Sequence, residues 1–345
     1  MIRFGKSAAA LAAHKQNFFH DNEALIENAR RIATIYVAQP RRTHCKCCAH
    51  PLGPPQFVKD GIAYAVCDTC GHLNGAHEDS DEFCAALYTE GGGADYARAY
   101  SASGREAFWL RVRDIYVPKA AFLRDALAER EAAEALTYAD LGAGSGYFVA
   151  ALREVGLTNA AGYEVSEAQV DLANAMLGAE TLHRHDLAAT IDVAATVAAD
   201  AVSMIGVLEH VPRPREVLGA LKANPRVRYL FVSVPLFSPC VFFEMAFPGV
   251  FHRQLSGAHT HLFTERSLDW TAREFGMERV AEWWFGTDIF DLLRAVGVAL
   301  ERRDEVKRMA STWNELFAPA VDDLQLALDR RKLASEVHLL LRFAN

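Results

Sequence analysis

The segment Asp140-Leu-Gly142-Ala-Gly144-Ser-Gly146 constrains this 345-residue chain more than any other. It stands between the β-like run Leu136-Thr-Tyr-Ala139 and the apolar run Tyr147-Phe-Val-Ala-Ala-Leu152, and so reads as strand, glycine turn, helix. Glycines this close together let the backbone adopt positive φ and come within contact distance of a ligand. The helix behind them presents unpaired N–H groups at the same place. A unit of this kind belongs to an α/β fold with a largely parallel sheet.

The spacing separates the ligands that such a turn serves. A dinucleotide site spaces its glycines G-x-G-x-x-G and seats a pyrophosphate on the helix N-terminus. Here the spacing is G-x-G-x-G, with Asp140 two positions ahead. A carboxylate there repels a pyrophosphate and suits a ligand that carries an ammonium and a sulfonium. The motif resembles the first motif of the class I S-adenosylmethionine-dependent methyltransferases. That resemblance implies a Rossmann-like seven-stranded α/β sheet, S-adenosylmethionine as cofactor, and Gly142, Gly144 and Gly146 at the cofactor.

Downstream residues extend the resemblance one by one. The strand Ala160–Val165 carries Glu164, about 20 residues past the turn, where a carboxylate takes ribose hydroxyls. The strand Thr181–His185 stops at Asp186; the family uses an acid here for the adenine amino group, although an Asp in this place is also an ordinary helix N-cap. A fourth strand, Ala201–Leu208, leads into Glu209-His210-Val-Pro212. The string Leu-Glu-His-Val-Pro recurs in methyltransferases acting on small molecules; the resemblance puts His210 where the cofactor's methyl would point and Gly206, just ahead of the string, among the cofactor-binding residues. Ubiquinone-pathway O-methyltransferases resemble the chain at Leu208-Glu209-His210, where acids and the histidine can hold a divalent ion. Gly206 replaces a further Glu of those enzymes, so no catalytic metal is expected.

A fifth strand, Arg228–Val234, is followed by a Phe- and Pro-rich insertion, 236–258, expected as a lid over the crevice at the strands' carboxyl ends. Behind it stands His259-Thr260-His261. Methyl transfer from a sulfonium is an in-line displacement in which a base must take the proton of a hydroxyl acceptor, a task suited to histidine. His261 and His259 are the first candidates and His210 the next. Strands Arg279–Phe285 and Glu336–Arg342 complete the seven, with a helical insertion at 288–333. The layout also resembles methyltransferases of bacterial surface-polysaccharide and nucleotide-sugar pathways, including sugar C-methyltransferases with an N-terminal zinc module. Their catalytic string has a Tyr-x-Glu-His character; His259-Thr260-His261 lacks the Tyr and the Glu, which turns the expectation toward O-methylation of a sugar or polysaccharide-precursor hydroxyl.

Cysteine spacing accounts for the first third of the chain. Cys45 and Cys48, then 18 residues, then Cys67 and Cys70, reproduce the C-x2-C…C-x2-C spacing of a zinc ribbon. Phe57–Val66 between the pairs reads as a hairpin. Four thiolates make a closed tetrahedral site, so the zinc is expected to be structural. Cys47 is surplus, and Cys84 and Cys240 read as buried thiols. The expected organisation is a helical segment 1–40, the ribbon 41–77, a helical connector 78–130 whose Phe83, Tyr88, Tyr96, Tyr100, Phe108 and Trp109 form a core stripe, and a methyltransferase domain 131–345. The net charge of −8 supplies no basic footprint. A small-molecule acceptor is therefore expected over nucleic acid, with an RNA methyltransferase gripping its substrate through the ribbon as the alternative. The apolar stretch 229–251 is interrupted by Pro235, Pro239, Glu244 and Pro248 and cannot span a bilayer. No signal-peptide core follows the N-terminus, and the expected location is the cytoplasm.

Overall fold

The computed structural model describes residues 1–8, 21–89 and 104–344. The readings placed on Leu11, Phe18, Phe19, the 91–93 glycines, Tyr96 and Tyr100 lie outside these residues. Strands are numbered along the chain: β1 (Ile2–Phe4), β2 (Phe57–Lys59), β3 (Ile62–Val66), β4 (Leu73–Gly75), β5 (Tyr138–Leu141), β6 (Ala160–Glu164), β7 (Leu182–Arg184), β8 (Ala201–Ile205), β9 (Tyr229–Pro235), β10 (His261–Leu262), β11 (Met277–Phe285) and β12 (Glu336–Phe343).

The main sheet has the order β1-β11-β12-β9-β8-β5-β6-β7. β5 to β9 run parallel, while β12 lies antiparallel between β9 and β11. Helices Tyr147–Glu154, Glu167–Leu177, Thr190–Thr196 and Pro214–Ala223 make the crossovers. Every residue of β5 and β9 is buried, as expected of strands covered on both faces. Because β5 pairs with both β6 and β8, the strand order reverses there, and the carboxyl ends of β5 and β8 open a crevice at the reversal.

The seven expected strands are all present, and an eighth joins them. β1 pairs in parallel with β11, Gly5 N–H donates to the Trp284 carbonyl (3.0 Å), and the Arg3 guanidinium lies 3.9 Å from the centre of the Trp283 ring. Residues 1–40 are therefore not helical throughout; a strand of three residues is too short to show a period, and its partner is remote in sequence. The helix Asn22–Val37 follows.

A second sheet, ordered β10-β4-β3-β2, holds the cysteine module. Its outer strand β10 comes from residues 261–262, so the module's sheet is not closed within 41–77. One core joins Ile32 and Tyr36 of the first helix, Tyr64 and Leu73 of the module, Phe83 of the connector, and Val241 and Leu255 of the 236–258 segment. Farther along the connector, Phe108, Val112, Phe122 and Leu123 pack with Phe148, Phe231 and Trp283. Phe83 and Phe108 thus belong to cores. Residues 288–333 form the helices Asp288–Glu301, Met309–Phe317 and Val321–Asp329. Among the described residues no helix is long and apolar enough to cross a membrane.

Candidate active site at the sheet reversal

Gly142, Gly144 and Gly146 all take positive φ, at 71°, 52° and 76°. Crowding reinforces the need for glycine at the first: a Cβ on Gly142 would lie 2.6 Å from Val207 Cγ2. The turn is tied to β6, since the N–H groups of Gly142 and Ala143 both donate to the Tyr163 carbonyl. Asp140, at 2% exposure, accepts from the Ser203 hydroxyl at 2.6 Å. Burial pushes its carboxyl up to about 7; the Ser203 bond opposes this and the nearby Glu164 charge adds to it. Glu164 accepts the N–H of Gly144 at 2.8 Å on one oxygen, and those of Val165 (2.8 Å) and Ser166 (3.0 Å) on the other. The loop and this carboxylate therefore hold each other in place.

These groups line a cavity of about 400 Å³ that brings together Asp140, Gly142, Gly144, Glu164, Gly206 and His210. Four other expected residues, Gly146, Asp186, His261 and His259, do not line it. Gly146 begins the helix Tyr147–Glu154 and faces Ala173 and Leu182. Asp186 turns its carboxylate to solvent, 78% exposed and 3.2 Å from Arg184, while its neighbours His185 and Leu187 line the wall. His261 is 1% exposed: its Nδ1 lies 2.8 Å from His72 Nε2, and its Nε2 2.6 Å from the Glu209 carbonyl oxygen. Both ring nitrogens are thus engaged in a link from the cysteine module to the loop after β8, which leaves the ring no contact with an acceptor.

His210 does reach the cavity. Its Nδ1 is hydrogen-bonded to the Tyr88 hydroxyl at 2.8 Å, and its ring centre lies 5.0 Å from that of His259. Burial holds its pKa well below the usual histidine range, helped by the His259 and Lys46 charges, so the ring is neutral near pH 7. His259 is half-buried behind it, with Nδ1 3.2 Å from the Gln254 carbonyl. The expected lid contributes no lining residue. Val241 and Leu255 of the 236–258 segment find burial against the first helix and the cysteine module, and the cavity's outer wall comes from Leu87, Tyr88 and Tyr116 of the connector. Sequence reasoning assigned Tyr88 to the core stripe and missed Tyr116, Gln169 and His185; only the position of His185 beside Asp186 signalled its place.

The four cysteines converge. Cys45 Sγ lies 3.6 Å from Cys70 Sγ and Cys48 Sγ 3.5 Å from Cys67 Sγ, and all four sulfurs fall within 4.8 Å of one another. Disulfide sulfurs would sit about 2.05 Å apart. Thiolates placed tetrahedrally about 2.3 Å from one zinc are roughly 3.8 Å apart, close to the observed spacing. Cys47 stands outside the group, its Sγ 3.2 Å from Thr271 Oγ1. Lys46, from the first knuckle, is buried with Nζ 2.7 Å from Asp79, which Arg42 also contacts at 2.9 Å.

Residues 113–282 match the family described as a methyltransferase domain. The chain thus contains a methyltransferase domain, and the glycine turn and Glu164 lie within it. No curated protein matches it. Among solved structures, magnesium protoporphyrin IX methyltransferase from Synechocystis PCC 6803 with bound SAH is 14% identical, with a TM-score of 0.43 over 69% of this chain and 88% of that one. Geranyl diphosphate C-methyltransferase from Streptomyces coelicolor A3(2) is 12% identical, with a TM-score of 0.43 over 70% of this chain and 84% of that one.

Proposed function

We propose that the enzyme transfers a methyl group from S-adenosylmethionine to a hydroxyl of a small molecule, a sugar or polysaccharide precursor. The observation that carries this reading is a single cavity with Asp140, the glycine turn and Glu164 on its floor and His210 on its wall. Asp140 would pair with the ammonium of the methionine moiety, and the Glu164 oxygen that already accepts the Gly144 N–H would take the ribose hydroxyls. Gly142, Gly144 and Gly206 give the cofactor room, and Gly146 shapes the turn from behind. Asp186 would have to leave Arg184 to meet the adenine amino group. His210, neutral and oriented by Tyr88, is placed to take the acceptor's proton, with His259 next to it; His261 acts by holding the Glu209 backbone. Cys45, Cys48, Cys67 and Cys70 would hold a structural zinc.

Oxygen methylation is favoured over carbon methylation by Thr260, which stands where the C-methyltransferase string carries Glu. Its hydroxyl, on a residue 1% exposed, donates to Asp79 and cannot serve as a base. The sugar class rests on the sequence resemblance to surface-polysaccharide methyltransferases. Incubation with labelled S-adenosylmethionine and a panel of nucleotide sugars, followed by NMR of the product, tests the proposal. An O–CH3 signal is expected; a methyl on carbon, or label entering only RNA, would overturn it.

A further inference from the structure

We infer that Lys6 and Lys119 bind an anionic group of the methyl acceptor, which makes the acceptor an acidic, hydroxyl-bearing small molecule. The inference rests on reading the cavity at the sheet reversal as the cofactor site, and it deepens that reading by giving the acceptor its charge. The glycine turn, Glu164 and Gly206 lie at the carboxyl ends of β5, β6 and β8. β12 is antiparallel to both β9 and β11, and β1 is parallel to β11, so β1, β9 and β11 point the same way as β5 and β8. Their carboxyl ends therefore continue the rim on which α/β folds bind ligands. Lys6 follows the end of β1, Phe285 closes β11, and Glu336 opens β12 opposite Pro235 at the end of β9. With the cofactor on β5, β6 and β8, this second half of the rim is left for the acceptor.

Charge on that half is out of balance. Lys119 is 7% exposed; its Nζ lies 3.6 Å from Glu336 Oε1 and 5.3 Å from the centre of the Tyr116 ring, which lines the cofactor cavity. Glu336 Oε1 also accepts the Ser233 hydroxyl at 2.8 Å. Lys6 is half-buried, with Nζ 5.2 Å from the centre of the Phe285 ring and no carboxylate partner among the described residues. Burial pushes its ammonium down to about 8; the Lys119 and Arg3 charges add to this and Glu336 opposes it. Arg253 is paired with Asp291 at 3.0 Å. One carboxylate thus faces two ammonium groups, in a chain whose net charge is −8. An ammonium drawn from water without a counter-ion is costly, and an anion carried in by a ligand offsets that cost.

The cluster adjoins the reacting centre. The Lys119 charge acts on both Asp140 and Glu209, and the Glu336 charge on Glu209, the residue before His210. An acceptor held here by its acidic end presents its hydroxyl toward the methyl donor and His210. Lysine offers donors only and meets a phosphate or a carboxylate as a point charge, so these two groups share the chemistry that the rim recognises.

Calorimetric titration of the S-adenosylhomocysteine-loaded protein with glucose 1-phosphate, glucuronate and glucose tests the site. The acids are expected to bind and neutral glucose is not, and the tighter of the two acids tells phosphate from carboxylate. Lys6→Met and, separately, Lys119→Met should each weaken that binding by about tenfold or more, whereas Lys6→Arg, which keeps the charge, should retain it. S-adenosylhomocysteine should bind Lys6→Met as it binds the unaltered protein. Failure of both acids to bind, glucose binding as tightly as they do, or acid binding unchanged in both Met variants would overturn the inference. Loss of S-adenosylhomocysteine affinity in Lys6→Met would overturn it too, by assigning the lysine to the cofactor's own carboxylate. If S-adenosylhomocysteine failed to bind the unaltered protein, the cofactor-site reading beneath it would fall instead.

Discussion

Replacing Gly142 with Ala separates two costs that glycine avoids at the cofactor turn, and Gly178→Ala supplies the control. The two glycines have nearly the same backbone conformation, with φ of 71° and 70°. An L-residue in this left-handed region costs roughly 1–2 kcal/mol. At Gly178, the C-cap of Glu167–Leu177, an added Cβ meets nothing within 4 Å, so the expected loss is that conformational cost alone. At Gly142 the Cβ would also press to 2.6 and 2.8 Å from the two γ carbons of Val207. Overpacking of a filled site adds about 1–3 kcal/mol, bringing the total to about 2–5 kcal/mol. Since Val207 lines the cavity, the displaced side chain moves into cofactor space. Urea denaturation gives the two stabilities and calorimetry with S-adenosylhomocysteine the two affinities. Gly142→Ala should lose both stability and affinity, whereas Gly178→Ala should lose only a little stability. Equal destabilisation, or undiminished affinity in Gly142→Ala, would refute the claim that the turn's shape is set by Val207 and the ligand together.

Three further outcomes are expected. Asp140 titrates near 3.8 when unperturbed and is raised to about 7 in the ligand-free fold, so the folded state binds its proton more tightly; its support is complete below about pH 4 and is lost as the pH rises through about 7. Asp140→Asn should therefore flatten part of the fall in melting temperature over that window, and parallel pH profiles for the two proteins would count against it. His261→Ala strands His72 Nε2 and the Glu209 carbonyl in a buried site, at about 1–3 kcal/mol per group, and should lower the melting temperature; His210→Ala should instead lower kcat by about 10²–10⁴, and the reverse pattern would show the histidine roles exchanged. Cys67→Ser should lose the zinc found by metal analysis in the unaltered protein and loosen the module first, whereas unchanged metal content and melting would remove the zinc assignment.

The parallel core was legible because its strands are continuous apolar runs punctuated by Gly, Asp and Glu at their carboxyl ends, as in Ala139–Gly142 and Gly162–Glu164. The cysteine cluster was legible because four-thiolate spacing is local. What stayed hidden depends on contacts far apart in sequence. β1 takes its place from a partner some 280 positions away. β10 joins the cysteine module's sheet through two residues that otherwise read as part of a catalytic string. His261, His259 and His210 look alike in sequence, and only burial and partners separate a histidine bonded at both nitrogens from one on the cavity wall. The expected lid failed to cover the cavity because apolar residues such as Val241 and Leu255 do not name the surface that will bury them.

The central claim is that the turn Asp140–Gly146 and Glu164 form an S-adenosylmethionine site, and calorimetric titration tests it most directly. S-adenosylhomocysteine should bind with one site per chain, NAD should give no heat of binding, and Gly144→Val should abolish the signal. At φ 52° the new side chain would be strained, and its Cβ would already stand 3.1 Å from Gln169 Oε1 at the cavity wall. Binding of NAD in preference to S-adenosylhomocysteine, or full affinity for S-adenosylhomocysteine in Gly144→Val, would contradict the account.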